Sequence, residues 1–537
     1  MSNHNFCLFD NAIFTMLYFP QMNYALLSVF DKSRIVDFAK SLQSLGFEII
    51  STGGTAKVLT DAKIKVIPIH NITGNPESFD GRMKTISFEI EGGILYDRKN
   101  PSHVRQAKKL RIKDISVVAC NLYPFEQTTS NPKTTLAQAV ENIDVGGPTM
   151  IRSAAKNFKN VLVAVDSNDY EKIIEKIKTK KADDKFRKIL AAKAFGHLAF
   201  YDSQIAKYLN AEKFPQEISI PGRKNISLRY GENPHQEASV YLEPNTNSPL
   251  KSLAKLAGRD LSYLNFTDIY AGLESVRMFK EPAAAVIKHN SPCGIALGNS
   301  QAIALKRAIL ADPQSAFGGV IILNSTLDIA TAKIFSLFKE ENGILIDIVA
   351  APNVSNEAAD FIKKVRKSTG IYSFGKIPAK RKNAMHLKFF DGGFVMQDWD
   401  DATEKNFKNW KIVTKIKPTK KQIEQIKIAW KFISRIKSNT IIVIDKNLPM
   451  TRGIGSGQTS RIGSAKIALD QAGKNAKGAI LASDSFFPFD DCVSLAGKYG
   501  IKAIVQQGGS VNDKASIERA NKLKIAMVFT NERKFWH

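Results

Sequence analysis

The sequence predicts an α/β fold whose N-terminal part is built on a parallel sheet. Strand-like and helix-like segments alternate from Asn23 onward, as expected of strands joined by helical crossovers. ISVVACNLY (115–123) and VLVAV (161–165) are apolar enough to be strands covered on both faces. A glycine-rich turn, TGGT (52–55), joins a strand to the start of a helix.

Taken in order, YALLSVF (24–30) reads as the first strand. SRIVDFAKSLQSL (33–45) follows with helical periodicity, and Gly46 suits its C-terminal cap. FEIIS (47–51), the TGGT turn, a short helix and KVIPI (65–69) continue the alternation. After a long helical stretch, KFPQEISIPGRKN (213–225) is rich in breakers and reads as a linker. Beyond it AAAVI (283–287), FGGVIILN (317–324), ILIDIVAAP (344–352), NTIIVI (439–444), GAILAS (478–483), KAIVQ (502–506) and IAMVF (525–529) read as strands. That stretch is longer than an ordinary domain. The expected organisation is a first domain at 23–220 and a region of two α/β lobes at 221–537. Residues 1–22 read as an extension, with Met22 as an alternative start.

Composition narrows the function classes. The 537 residues include 77 Lys+Arg against 51 Asp+Glu, a formal net charge of +26. In EKIIEKIKTKKADDKFRKIL (171–190) the basic residues interleave with acids, which marks solvated helix faces rather than a nucleic-acid-binding stripe. Anionic metabolites fit better as partners, and a basic nucleic-acid-binding protein is the weaker rival. Cys7, Cys120, Cys293 and Cys492 lie far apart with no CxxC spacing. That argues for a reducing compartment and against a disulfide framework or structural zinc. No stretch reads as a membrane span or a basic targeting segment, so a cytoplasmic protein is expected.

Four loops of the first domain carry unusual chemistry. TGGT can turn backbone N–H groups toward an anion at a helix N-terminus. FDK (30–32) ends the first strand, and GRMKT (81–85) brings Arg82 and Lys84 to a turn. VGGPTMIRSAAKN (145–157) opens a helix near Pro148, with Asp144 just before it and Arg152 and Lys156 on one face. No histidine falls in these loops, so acid–base work would go to Lys, Tyr and Asp.

SVFDK, STGGTAK, GRMKT, ACNLYPF and IDVGGPTMIRSAAKN, in this order and spacing, resemble the inosine monophosphate cyclohydrolase domain of bifunctional purine-biosynthesis proteins. The resemblance implies a methylglyoxal-synthase-like fold and a dehydrative ring closure. It implies Lys156 as the acid–base residue, with Lys84, Tyr123 and Asp144 nearby. Ser28, Phe30, Asp31, Lys32, Thr52, Gly53, Gly54, Thr55, Arg82, Met83, Thr85, Cys120, Asn121 and Val145 fall at its nucleotide-holding positions. Ser87 and Glu91 stand where that family has histidines, Phe88 where it has proline, and Phe30 where serine is usual. These departures raise the alternative of an impaired cyclohydrolase half.

LRYGENPHQ (228–236), VIKHNSPCG (286–294), DPQSAFGG (312–319), KSNTIIV (437–443), GIGSGQTSRI (453–462), SDSFFPFDD (483–491), QQGGS (506–510) and TNERKFWH (530–537) resemble the formyltransferase half of the same family. The resemblance thus runs over residues 23–537. It implies a two-lobed, cytidine-deaminase-like region that uses 10-formyltetrahydrofolate to formylate 5-aminoimidazole-4-carboxamide ribonucleotide. His289 would be the base, Lys288 its support and Asn439 a carbonyl or oxyanion donor. Arg229, Tyr230, Gly318, Asp347, Arg461 and Arg533 match nucleotide-gripping positions. Phe486 and Phe489 would wall flat rings, and Ile462, Asp491, Ser510 and Val511 fall on the folate side. A homodimer with formyl-transfer sites shared between subunits is also implied. VIKHNSPCG carries part of a zinc-deaminase pattern, but the glutamate of H-x-E and the second cysteine of P-C-x-x-C are missing. No catalytic metal is expected, and a monovalent cation is left open.

Overall fold

The computed structural model describes residues 23–79, 81–342, 345–378, 385–401 and 406–537. The expected extension at 1–22 lies outside them. The chain divides into two compact units. One runs to Arg223 and takes in Glu243–Asn245; the other holds Lys224–Leu242 and Thr246–His537.

The first unit is built on five parallel strands: β1 (Asn23–Val29), β2 (Phe47–Ser51), β3 (Val66–Pro68), β4 (Ile115–Asn121) and β5 (Leu162–Ala164). Their order is β3-β2-β1-β4-β5. Ala25, Leu26 and Leu27 of the central strand are fully buried, which is why this stretch is apolar at successive positions. Parallel strands place their carboxyl ends along one edge, so the loops after β1, β2 and β4 gather there. The helix Asp184–Leu209 packs on the helix Gly146–Lys156 behind those loops.

The second unit contains two six-stranded sheets. One runs Ser291–Leu297, Ala283–Lys288, Gly319–Leu323, Ile346–Ala351, Gly370–Ser373 and Ala254–Ala257. The other runs Lys411–Ile412, Ala526–Phe529, Ala503–Gln506, Ile480–Ser483, Ile441–Ile444 and Thr451–Gly455. Leu273 and Trp430, from the helices Tyr263–Val276 and Lys420–Ile433, share one core with Ile287 and Ile322 of the first sheet and Ile442 and Val505 of the second. Both sheets are mixed rather than purely parallel. Ala283–Lys288 and Ser291–Leu297 form a hairpin, with His289 and Asn290 at φ 56° and 60° in its two-residue turn. Positive φ at both central residues is what the native strand twist asks of such a turn. Among the described residues no helix is long and apolar enough to cross a membrane.

The helix Phe88–Leu95 accounts for one departure noted in the sequence. The Ser87 hydroxyl accepts the Ile90 N–H at 3.2 Å and caps the helix. Glu91, one turn on, is largely buried, and burial pushes its carboxyl pKa up; the nearby Ser153 hydroxyl offsets part of this. Neither carboxylate oxygen makes a well-formed hydrogen bond. A raised folded-state pKa means that the ionised carboxylate costs stability at pH 7, and that this cost disappears below the ordinary Glu value of ~4.3. Glu91→Gln is therefore expected to raise the melting temperature at pH 7 and to lose that advantage near pH 4. Melting curves of both proteins at the two pH values check this; a lower melting temperature for the variant at pH 7 counts against it.

Candidate functional site

The loops gathered at the edge of the first sheet line a cavity of about 600 Å³. Two side chains fasten its floor. The Thr55 hydroxyl accepts the Val29 N–H at 3.1 Å and donates to the Val29 carbonyl at 2.9 Å, tying the TGGT helix to the end of β1. Asn121 Oδ1, at the end of β4, accepts the N–H groups of Phe30 (2.6 Å) and Asp31 (2.9 Å). The helix Gly53–Asp61 starts at Thr52 without a side-chain cap, and Gly53 takes φ 52° there. A Cβ on Gly53 would lie 3.8 Å from Lys84 Nζ, and one on Gly54 would lie 3.9 Å from Lys32 Nζ. Two ammonium groups beside an uncapped helix N-terminus make a cradle for a phosphate-sized anion. Burial lowers the Lys32 pKa, and neighbouring Asp31 opposes that effect.

The facing wall is built around Asp144. Its carboxylate accepts the Gly147 N–H at 2.8 Å. Burial pushes its pKa up, against the Gly147 and Tyr123 backbone N–H groups and the Lys84 charge. A Cβ on Gly147 would sit 2.6 Å from Asp144 Oδ2, and one on Gly146 would collide with the Thr85 hydroxyl. The GG pair is thus favoured by close approach. Phe30 and Tyr123 meet edge to face at 5.8 Å and present aromatic surface to the cavity. Burial raises the Cys120 pKa, so its thiol stays protonated beside the cavity.

The lining brings together Ser28, Phe30, Lys32, Thr52, Gly53, Gly54, Thr55, Arg82, Lys84, Thr85, Cys120, Asn121, Tyr123, Asp144 and Val145. Three expected residues do not line it. The Asp31 carboxylate turns back to Ser33, and Met83 is exposed on a strand-like bridge to Ser78. Lys156 ends the helix that Gly146 begins, roughly 15 Å along its axis. Spacing puts Arg152 and Lys156 on one face but does not say which end of the helix meets the ligand.

In the second unit, hydrogen bonds join the expected formyl-transfer loops in series. Asp268 is buried beneath the His289–Asn290 turn and accepts the Asn290 N–H at 2.7 Å. Burial raises its pKa, while that N–H and the charge of His289 lower it. Lys288 Nζ donates to the Phe317 carbonyl at 2.9 Å, next to Gly318 at φ 73°. Ser291 meets Ser456 at 3.3 Å, and Ser456 reaches the Lys437 carbonyl at 3.2 Å. Asn439 donates to the Gln458 carbonyl at 3.0 Å, and its Oδ1 accepts from Arg461 at 2.7 Å. Arg461 is itself buried, bonded to Ser483 at 3.0 Å and paired with Asp484.

The Arg461 guanidinium is therefore engaged within the protein, by Asn439, Ser483 and Asp484. Asp347 is likewise paired, with Arg259 at 2.9 Å. Arg229 stacks on Tyr230 at 4.7 Å, and the Tyr230 carbonyl accepts the first N–H of the helix that carries Asp268. Phe486, Phe489 and Val511 are exposed, and the Asn512 side chain ties their two loops together through the Pro488 carbonyl at 2.7 Å. Ile462 packs partly against the core, Asp491 accepts the Cys492 N–H at 2.7 Å, Ser510 accepts the Asn512 N–H at 3.2 Å, and Arg533 lies over Phe535 at 4.7 Å. Sequence reasoning missed Asp268, Asp484 and Tyr201. Asp484 stood inside a quoted motif, SDSFFPFDD, and its acidity between two serines was the available signal. Among the described residues no group of three or more His, Cys, Asp or Glu could hold a metal ion.

Comparison with known proteins is decisive. The family described as AICARFT/IMPCHase bienzyme matches residues 154–471, and an MGS-like domain matches residues 34–149. The chain is 43% identical to the bifunctional purine biosynthesis protein PurH of Oceanobacillus iheyensis, over 96% of this chain and 99% of that one. Its identity to PurH of Thermoanaerobacter sp. is 44%, and to PurH of Persephonella marina 43%, with the same coverage. The chain belongs to the AICARFT/IMPCHase bienzyme family. The MGS-like match covers most of the residues that line the cavity but not Ser28, Phe30 and Lys32, and the bienzyme match begins inside the helix Gly146–Lys156.

In this member of the bienzyme family, Gly147 is a tight joint of the cavity wall, closed in by two side chains. Gly147→Ala forces a methyl group against the Asp144 carboxylate and Leu122, and overpacking of this kind costs about 1–3 kcal/mol. A lower denaturation midpoint is the expected outcome, together with weaker protection of Lys84 from amine-modifying reagents. An unchanged midpoint would show that the helix can shift to make room.

Proposed function

We propose that this chain carries out the last two steps of purine-nucleotide synthesis, with formyl transfer in the second unit and ring closure in the first. The observation that carries the reading is the convergence of an anion cradle, Lys84, Tyr123 and a half-buried Asp144 in one cavity. It stands beside relatedness to bifunctional PurH proteins over 96% of the chain.

In formyl transfer the aromatic amine of 5-aminoimidazole-4-carboxamide ribonucleotide attacks the formyl carbon of 10-formyltetrahydrofolate. The carbon–nitrogen bond to the folate breaks, and the amine proton ends on the departing nitrogen. An aromatic amine is a weak nucleophile, so a positioned base and a donor to the tetrahedral oxyanion are needed. His289 on its fixed turn is the base in this reading, supported by Lys288. The Asn439 amide, held by Arg461 and Gln458, is the oxyanion donor. The exposed Phe489 and Val511 support a site completed by a second copy of the chain.

Ring closure then joins the carboxamide nitrogen to the formyl carbon. The formyl oxygen leaves as water with one proton from each nitrogen, so no redox cofactor is called for. In the cavity the phosphate sits at the Gly53–Gly54 helix start with Lys32. Lys84, Asp144 and Tyr123 lie where protons must move, and orientation supplies much of the acceleration. The raised pKa of Asp144 makes its carboxyl hold a proton more readily than an ordinary aspartate, which suits it to proton exchange. Ser87, Phe88 and Glu91 are not among the residues lining the cavity.

Two variants separate the reactions. His289→Ala is expected to lose formyl transfer by roughly 100-fold or more while still closing the ring of supplied formylated nucleotide. Lys84→Ala is expected to do the reverse. Rates measured with each substrate alone give the outcome; loss of both reactions in either variant would contradict the division of labour.

A further inference from the structure

Tyr201 lies on the helix Asp184–Leu209, outside every motif of the cavity, and only 4% of its surface is exposed. Its hydroxyl accepts the Asp144 N–H at 2.8 Å and donates to the Asn142 carbonyl at 3.2 Å. It therefore clasps, from behind, the turn that delivers Asp144. Its ring meets Phe125 edge-on at 6.3 Å. Phe125 is buried, and its N–H is bonded to the Tyr123 carbonyl at 2.8 Å. One side chain thus touches both segments that carry Tyr123 and Asp144. It does so from beyond the region that matches the MGS-like domain, within the region that matches the bienzyme family.

We propose that Tyr201 is a positioning residue for ring closure, fixing the spacing of Tyr123 and Asp144 across the cavity. The proposal rests on the ring-closure reading of that cavity. The bond to the Asn142 carbonyl needs the phenolic proton, and burial pushes the Tyr201 pKa up to about 12, so the clasp is intact throughout the working range. The rest of the wall, Gly147 and Thr85, is already at closest approach. A loosened Asp144 turn would move the carboxylate rather than the nucleotide cradle, which is held separately by Thr55 and Asn121.

The test is Tyr201→Phe in the full chain, which keeps the ring against Phe125 and removes only the hydroxyl. With formylated nucleotide as substrate, kcat for ring closure is expected to fall roughly 10- to 100-fold, the scale of a misplaced catalytic group, with KM nearly unchanged. Formyl transfer by the same preparation should be unaffected and serves as the internal control for folding. Lys84→Ala is measured alongside. If Lys84→Ala abolishes ring closure and Tyr201→Phe leaves kcat intact, the proposal is wrong and the cavity reading stands. If Lys84→Ala leaves ring closure intact, the cavity reading fails and takes the proposal with it. A rise in KM alone, or a parallel loss of both activities in Tyr201→Phe, also overturns it, because Tyr201 would then serve binding or general folding.

Discussion

A carboxylate taken out of water must be matched by donors or by opposite charge, and this requirement fixes both candidate sites. In the first unit the carboxylate is Asp144, which meets the Gly147 N–H and lies near Lys84. In the second it is Asp484, with no exposed surface at all. Asp484 pairs with Arg461, accepts the Ser438 hydroxyl at 2.5 Å and accepts the Thr440 N–H at 3.0 Å. Asn439 lies between those last two partners, and Arg461 holds its amide oxygen. Removing one member of such a set strands the others, so each set holds its loops in a single arrangement.

The two sites use this device for different ends. Asp144 is incompletely matched, because burial still raises its pKa, and an incompletely matched acid can exchange a proton. Asp484 is surrounded by a guanidinium, a hydroxyl and a backbone N–H, and that matching suits it to support rather than chemistry. Around Asp144 the glycine pair, Thr85 and Tyr201 limit where the acid can go. Around Asp484 the limits come from three chain segments that meet only in the fold.

Much of this was legible in the sequence, for physical reasons that can be named. Strands buried on both faces must be apolar throughout, so β1, β4 and most strands of the second unit stood out. Loops that carry Gly, Lys and Asp at strand ends were visible because a packed interior has little use for that mixture. Strand direction in the second unit was not legible, since a fully buried run looks the same whichever way its neighbour points. The inward turn of Arg461 and the pairing of Asp347 with Arg259 depend on partners distant in sequence. Tyr201 is 57 residues from the N–H it holds, and nothing in its own helix distinguishes it from a core tyrosine.

The central claim is that one chain performs two separable reactions, with the cavity beside Asp144 closing the ring. The most direct measurement supplies the formylated aminoimidazole nucleotide alone, without any folate, and follows inosine monophosphate by its ultraviolet absorbance. The account expects rapid, complete conversion that inorganic phosphate inhibits competitively through the Gly53–Gly54 cradle. Absence of product in an enzyme preparation that still transfers formyl groups would contradict it.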